Sequence, residues 1–316
     1  MPYNTQNILT SRKKTQMKKI FLVITALMLV FQSLRAQNQN QDSIKYDLAM
    51  LHYNSGKINL CVQECNALIK ADGYYADDAR VLLAMCRDSQ GFYRVARRMY
   101  RKLVAEDNAS AAYHYASMLV RRGHYTEAEK MLQKAIIGNK SNADAHLMLA
   151  MVKANQGERF KAMMPLYYFL LINNDEEKQI TAYNRLISLW RQSAKAINLV
   201  NAQRHPDPFN DKTDNAISTW TTSDSIAHTN DKEQIEKLAS YTQQLFSYLL
   251  NNSEQNLDFW QVAYTDFFVK LVPRNFVTPF VYHISDATHH AEVLEWLSSE
   301  NGNLFNEFRL WMEAQY

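Results

Sequence analysis

The chain has 316 residues, with 35 lysines and arginines against 32 aspartates and glutamates, seven glycines and three cysteines. That length suits one extended or two compact domains, and so few glycines cannot supply a phosphate-cradling loop or a dinucleotide fingerprint. The basic balance resides in residues 1 to 36, which hold six bases and no acid; beyond them 29 bases face 32 acids, which gives no ground for nucleic-acid binding.

Lys18 and Lys19 lead into an apolar run from Ile20 to Phe31, and polar residues follow to Ala36 and Gln37. A basic start, an apolar stretch of that length and a small residue at the cut predict a secretory signal peptide over 1–36, cleaved near Ala36. The run is shorter than the ~20 apolar residues a spanning helix needs. Leu34 is bulky for its place before the cut, which keeps an uncleaved anchor as the alternative. The mature chain is expected to be exported, in the periplasm or associated with the outer membrane or cell surface, without a transmembrane span. The first cysteine is Cys61, well past the cut, which argues against a lipid-anchored lipoprotein.

Cys61 and Cys65 fall four apart on one expected helix and Cys86 on the next. Neighbours at that helical spacing seldom have disulfide geometry, so all three are expected as small buried hydrophobes. A bridge from Cys86 to one of the others is the alternative, and it would leave one thiol over.

Gly56, Gly91, Gly123 and Gly157 recur at near-constant spacing, and the same offsets follow each. Gly56 precedes Ile58, Cys61, Cys65 and Leu68; Gly91 precedes Tyr93, Ala96, Tyr100 and Leu103. After Gly123 come Tyr125, Ala128, Leu132 and Ala135, and after Gly157 come Arg159, Ala162, Leu166 and Phe169. A glycine ends one helix with positive φ, a small residue lets the next helix approach closely, and the residues that follow share its face. A single such pair cannot bury its apolar face alone, so stacked neighbours must supply the core.

This register resembles the tetratricopeptide repeat, a helix-turn-helix unit of 34 residues. The resemblance implies an all-α solenoid of four repeats over 42–176 (42–75, 77–108, 109–142 and 143–176). Pro165 falls inside the last helix and is expected to kink it. Residues 177–203 keep apolar spacing, with Tyr183, Leu186, Ile187, Trp190, Ala196 and Val200, but have Arg191 where the glycine would fall; they read as a degenerate fifth repeat or capping helix. The stretch 204–230 contains His205, Pro206, Asp207 and Pro208 near its start, is rich in Asp, Thr and Ser, and reads as a linker with Trp220 as a large apolar anchor. A helical, aromatic-rich C-terminal region over 231–316 completes the chain, with stripes Ile235, Leu238, Tyr241, Leu245, Leu249 and then Leu257, Trp260, Tyr264, Phe267, Leu271.

No catalytic motif appears: there is no His-Glu-x-x-His zinc helix and no Gly-x-Ser-x-Gly elbow. His283, His289, His290 and Glu292 are the densest ligand-type cluster, but adjacent histidines on a helix diverge by about 100°. A solvated helix start is therefore expected there, with no metal and no cofactor. Arg94, Arg97, Arg98, Arg101 and Lys102 form a basic stripe best read as a solvated face.

The resemblance further implies a concave face lined by the first helix of each repeat. Its register selects Tyr46, Met50, Tyr53, Asn54, Val81, Met85, Asp88, Tyr113, Ser117, Arg121, Leu147, Met151 and Asn155 as a partner-binding groove. Tyrosine and methionine supply the adaptable apolar contact of grooves that take peptides or helices. Tyr46 and Met50 stand where some relatives carry a lysine-and-asparagine clamp for a C-terminal carboxylate, which disfavours chaperone-tail binding. The expected function is a noncatalytic interaction module for an envelope protein or peptide. Three other readings stay open: a groove filled by the chain's own aromatic tail, glycan binding through Trp220, Trp260 and Trp311, and an unrecognised hydrolase in the tail.

Overall fold

The computed structural model describes residues 40–191, 207–221, 230–252 and 258–315. The signal-peptide segment, Ala196 and Val200, residues 204–206 and 222–229 of the expected linker, and Leu257 lie outside the described residues. The fold is all-α, built of repeated helix-turn-helix pairs, with no strand among the described residues.

The pairs follow the glycine register. Helix α1 (residues 40–54) turns into α2 (Ile58–Ala71), α3 (Ala76–Ser89) into α4 (Tyr93–Ala105), α5 (Ala109–Val120) into α6 (Tyr125–Gly138), and α7 (Ala143–Asn155) into α8 (Arg159–Ile172). The four turn glycines have φ of +70°, +83°, +73° and +74°. At Gly123 the next residue, His124, donates its N–H back to the Leu119 carbonyl at 3.0 Å, closing the helix end with the six-residue bond that a left-handed residue permits. The same bond recurs from Lys57 to His52, Phe92 to Arg87 and Glu158 to Lys153. Between pairs, Asn108 and Asn142 cap α5 and α7 by accepting from the N–H of Ala111 and Ala145.

The small position of each second helix is fully buried at Cys61, Ala96, Ala128 and Ala162. Ala128→Phe is therefore expected to overpack the α5–α6 contact and cost roughly 1–3 kcal/mol, read as a lowered midpoint in urea unfolding. An unchanged midpoint would contradict the register.

The chain divides into two compact units, the first ending at Lys102 and the second beginning at Leu103. The division falls inside α4, not at the expected linker. In the first unit Ala49, Cys61, Cys65, Leu68, Ala79, Leu82 and Cys86 form one core. The Cys86 sulfur lies 3.0 Å from Cys61 Sγ, and Cys61 Sγ lies 3.9 Å from Cys65 Sγ, all as free thiols. Burial pushes the Cys61 thiol up to about 12, and contact with Cys65 together with burial raises Cys86. Because the thiolate is the reactive form, an alkylating reagent at pH 8 is expected to leave Cys61 and Cys86 unmodified in the folded protein and to modify both in denaturant. Peptide mass spectrometry reads this directly, and a native-state adduct on Cys61 or Cys86 would contradict it.

In the second unit α8 is the central element. Twelve of its fourteen residues are buried, which makes it apolar all round and not amphipathic. It runs as one helix through the buried Pro165 and packs on α7, on α9 (Glu176–Arg191), and on elements from the C-terminal part. One of these is a correction: the polar stretch expected as linker contains helix α10, Pro208–Thr221. Pro208 opens it where no backbone donor is needed, and the Asp207 carboxylate accepts from the Asn210 N–H at 3.1 Å. Its buried residues are Asn210, Thr213, Asp214, Ile217 and Ser218, a helical stripe made almost wholly of polar side chains.

The rest of the second unit is aromatic. Helix α11 (Asp231–Asn252) buries the whole predicted stripe from Ile235 to Leu249. The next stripe is buried too at Trp260, Tyr264, Phe267 and Leu271, but not on one regular helix: a π turn over Gln261–Thr265 passes through one α turn into a 3-10 run over Val269–Arg274. Helices α12 (Val277–Ser285), α13 (His290–Leu297) and α14 (Asn301–Glu313) follow, with Pro279 in the first turn of α12. The rings of Phe246, Phe268 and Phe280 surround Tyr167 of α8, whose hydroxyl is shared with Thr242 Oγ1 at 2.7 Å and accepts from Trp190 Nε1 at 3.1 Å.

Candidate functional site

The predicted groove residues divide between the two units and are described within each. In the first, Tyr46 stacks on Tyr75 with ring centroids 5.3 Å apart, while Met50 and Met85 pack half-buried on the cysteine-containing core. The Tyr53 hydroxyl lies 3.2 Å from Ser89 Oγ, Asn54 is exposed and Asp88 is half-buried. Val81 is a correction: only 3% exposed, it belongs to the core. Helix α3 buries Val81 and Ala84 as well as Ala79, Leu82 and Cys86, so more than one of its faces is covered and an apolar position there does not default to the groove.

In the second unit, the same register places Tyr113 and Ser117 on α5, and Arg121 at its C-terminal end, beside Leu147, Met151 and Asn155 on α7. Tyr113, Ser117 and Leu147 are half-buried; Arg121, Met151 and Asn155 are exposed, Met151 by 51%. Arg121 Nη1 donates to Ser117 Oγ at 2.7 Å. Lys178 of α9 reaches Asp144 of α7 at 2.9 Å. Burial pushes the Tyr113 phenol up, Asp144 adds to this and Lys178 opposes it. Helices α5 and α9 both pack against α7 here, α9 through the Lys178–Asp144 pair.

Among the described residues, the aromatic C-terminal part packs elsewhere. It docks on α8 and on the buried side of α7, where His146 Nε2–H donates to the Lys140 carbonyl at 2.9 Å and Nδ1 accepts from the Tyr264 hydroxyl at 2.8 Å. The Tyr168 ring stacks close by, at 4.5 Å from the imidazole. Beside this contact runs a charged network that the sequence did not advertise. Lys153, 3% exposed, is held by Glu129 at 2.7 Å and Glu158 at 2.8 Å; Lys161 joins Glu158 and Asp207; and both lysines lie over the Trp260 ring. Burial alone would lower the Lys161 ammonium, but Asp207 and Glu158 outweigh it and raise it.

None of the three tryptophans considered for sugar stacking is an exposed platform. Trp260 is buried under the two lysines, Trp311 is half-buried on Phe267 and Phe276 with Arg274 over its ring, and Trp220 is half-buried against Tyr248. Of the basic stripe, Arg94, Arg98, Arg101 and Lys102 are exposed and Arg97 is half-buried.

The histidine cluster does not stay together. His283 packs against Phe305 and Phe308, and burial lowers its imidazole; His290 is exposed, with Nδ1 2.8 Å from Asp286 Oδ1. His289, expected as part of a solvated helix start, is instead 7% exposed, because its ring turns inward against Tyr183 at 5.4 Å.

No known protein family matches this sequence, and no curated protein does. Among solved structures, the chain is similar to one described as the crystal structure of MamA protein. That match has 16% identity and a TM-score of 0.36, and it covers 69% of this chain and 98% of that one. A second, described as a MamA RS-1 ArsTM double mutant, is 11% identical, with 56% of this chain and 90% of that one covered and a TM-score of 0.35. The helix-turn-helix assignment rests on this chain's own turns and packing.

Proposed function

We propose that the protein is an exported, noncatalytic interaction scaffold whose first-helix faces hold an extended or helical segment of another envelope protein. The observation that carries this reading is the open face of α5 and α7, with Met151 51% exposed and Arg121 and Asn155 exposed beside it. The aromatic tail that could have occupied that face packs on α8 instead. Methionine and tyrosine at helical spacing offer an adaptable apolar surface, and the polar residues at its margin supply register. Export is inferred from the basic, then apolar, then small-residue order of residues 18 to 36.

The test uses a photo-crosslinking amino acid placed at Met151 or Tyr113 in the full chain, with control positions at the exposed Lys130 and Lys134 on α6. Irradiation in envelope extract should join one protein to the first two positions and not to the controls, and unlabelled chain should compete it away. Equal labelling from both faces, or none, would overturn the proposal.

A further inference from the structure

Three side chains converge at the beginnings of two helices in the second unit. Asp231 is the first residue of α11, His289 immediately precedes α13, and Glu292 lies in the first turn of α13. One ligand-type atom from each lies within 4.8 Å of the other two. The helix dipoles account for acidic residues in both first turns. They do not account for the imidazole between them.

His289 is held in one orientation. Its backbone N–H donates to the Ser285 carbonyl at 2.8 Å, its ring rests edge-on against Tyr183, and Nε2–H donates to Gln234 Oε1 at 3.2 Å. With the proton on Nε2, the Nδ1 lone pair is the free acceptor. That atom is buried, makes no hydrogen bond, and faces the Asp231 carboxylate at 3.8 Å. An acceptor aimed at carboxylates is an arrangement of like partial charges that a cation between them would resolve. No lysine or arginine supplies it: neither Asp231 nor Glu292 is paired with one among the described residues, and the adjacent Lys232 is committed to Glu295 at 2.9 Å. Glu292 also lines a cleft of about 640 Å³, so the place is reached from solvent.

We propose that Asp231, His289 and Glu292 bind a divalent transition-metal ion, with zinc as the best fit, leaving coordination open to water on the cleft side. One imidazole and two carboxylates are a zinc-type donor set, while magnesium and calcium favour oxygen alone. Zinc bonds of about 2.0–2.2 Å require the three groups to draw in by roughly 1 Å. The Asp231 side chain, 66% exposed, has the freedom to do so. Gln234 then acts as the outer partner that fixes the imidazole's tautomer. The bound ion would clip the start of α11 to the start of α13.

The experiment is a calorimetric titration of tag-free full chain, stripped with chelator, using zinc chloride and separately magnesium chloride, with cobalt chloride added as a spectroscopic probe. One zinc per chain is expected, with no saturable magnesium heat and with visible cobalt bands that lack thiolate charge transfer. Asp231→Asn, at the surface and harmless to the fold, and His289→Gln should abolish it. Gln234→Ala should weaken it about 10- to 100-fold, and His290→Gln should leave it intact. Unchanged affinity in the Asp231 and His289 variants, no saturable heat in the parent chain, or a cobalt thiolate band placing the ion on the cysteines would each overturn the assignment.

Discussion

Asp214→Ala is expected to lower unfolding stability by about 3–5 kcal/mol, the range seen when one partner of a buried ion pair is removed. Asp214 is 2% exposed on α10, and its Oδ1 accepts the Phe160 N–H at 2.7 Å, one of the donors that the start of α8 cannot satisfy within the helix. Its Oδ2 accepts from Asn210 Nδ2 at 3.1 Å. Across the same contact lies Arg159, whose Nη2 donates to the Asp214 carbonyl and to Ser218 Oγ. Burial lowers the guanidinium to about 10 while Asp214 raises it, so the group stays charged at neutral pH. Truncating Asp214 removes the carboxylate and leaves that charge buried. Replacing both partners with leucine should cost less than the two single changes summed. Urea unfolding of the four chains checks this; a loss below about 1 kcal/mol in Asp214→Ala, well short of that range, would show that water or another group takes over the carboxylate's role.

The same contact explains where sequence reading stopped short. The repeats were legible because their turns demand a residue that tolerates positive φ and their helix crossings demand a small side chain, and few residue types meet either requirement. Gly123 with Ala128 is the plainest instance. Helix α10 carries the same periodic information, but in Asn210, Thr213, Asp214 and Ser218 in place of apolar residues. A polar stripe is indistinguishable from a solvated loop until its buried partner, Arg159, is known. The long-range partner is likewise what the histidine cluster lacked. His289 and Glu292 were visible as a local pair, whereas Asp231 and Gln234 come from the start of another helix. The groove residues were legible as a register only: the pattern that places Met151 in the open equally selected Val81, which is core. The aromatic stripes were legible only as helical spacing, and a stripe of large rings does not disclose the π and 3-10 turns that bring them into contact.

Acid should loosen the aromatic region from the fourth repeat through His146. This side chain is fully buried, and burial, the largest influence, pushes its imidazole down to about 4; the charge of Lys140 acts in the same direction, and the hydrogen bond to the Lys140 carbonyl opposes it. In the unfolded chain the group titrates near 6.5. The unfolded state therefore binds more protons than the folded state between those values, so the contribution is fully present above about pH 6.5 and is lost as pH falls towards 4. Over the whole window it amounts to roughly 3 kcal/mol. His114, lowered to about 4 chiefly by burial and further by Arg121, acts with the same sign. The geometry names the step: a proton on Nδ1 removes the acceptor that now takes the Tyr264 hydroxyl at 2.8 Å, while Nε2 remains committed to the Lys140 carbonyl. Urea unfolding at pH 7.5, 6 and 5 should show falling stability. His146→Gln, although weaker at neutral pH for want of the ring's packing on Tyr168, should show a shallower decline. Parallel pH profiles for the two chains would mean that His146 takes up its proton without leaving its partners, and the acid sensitivity would then belong to His114 and the carboxylates.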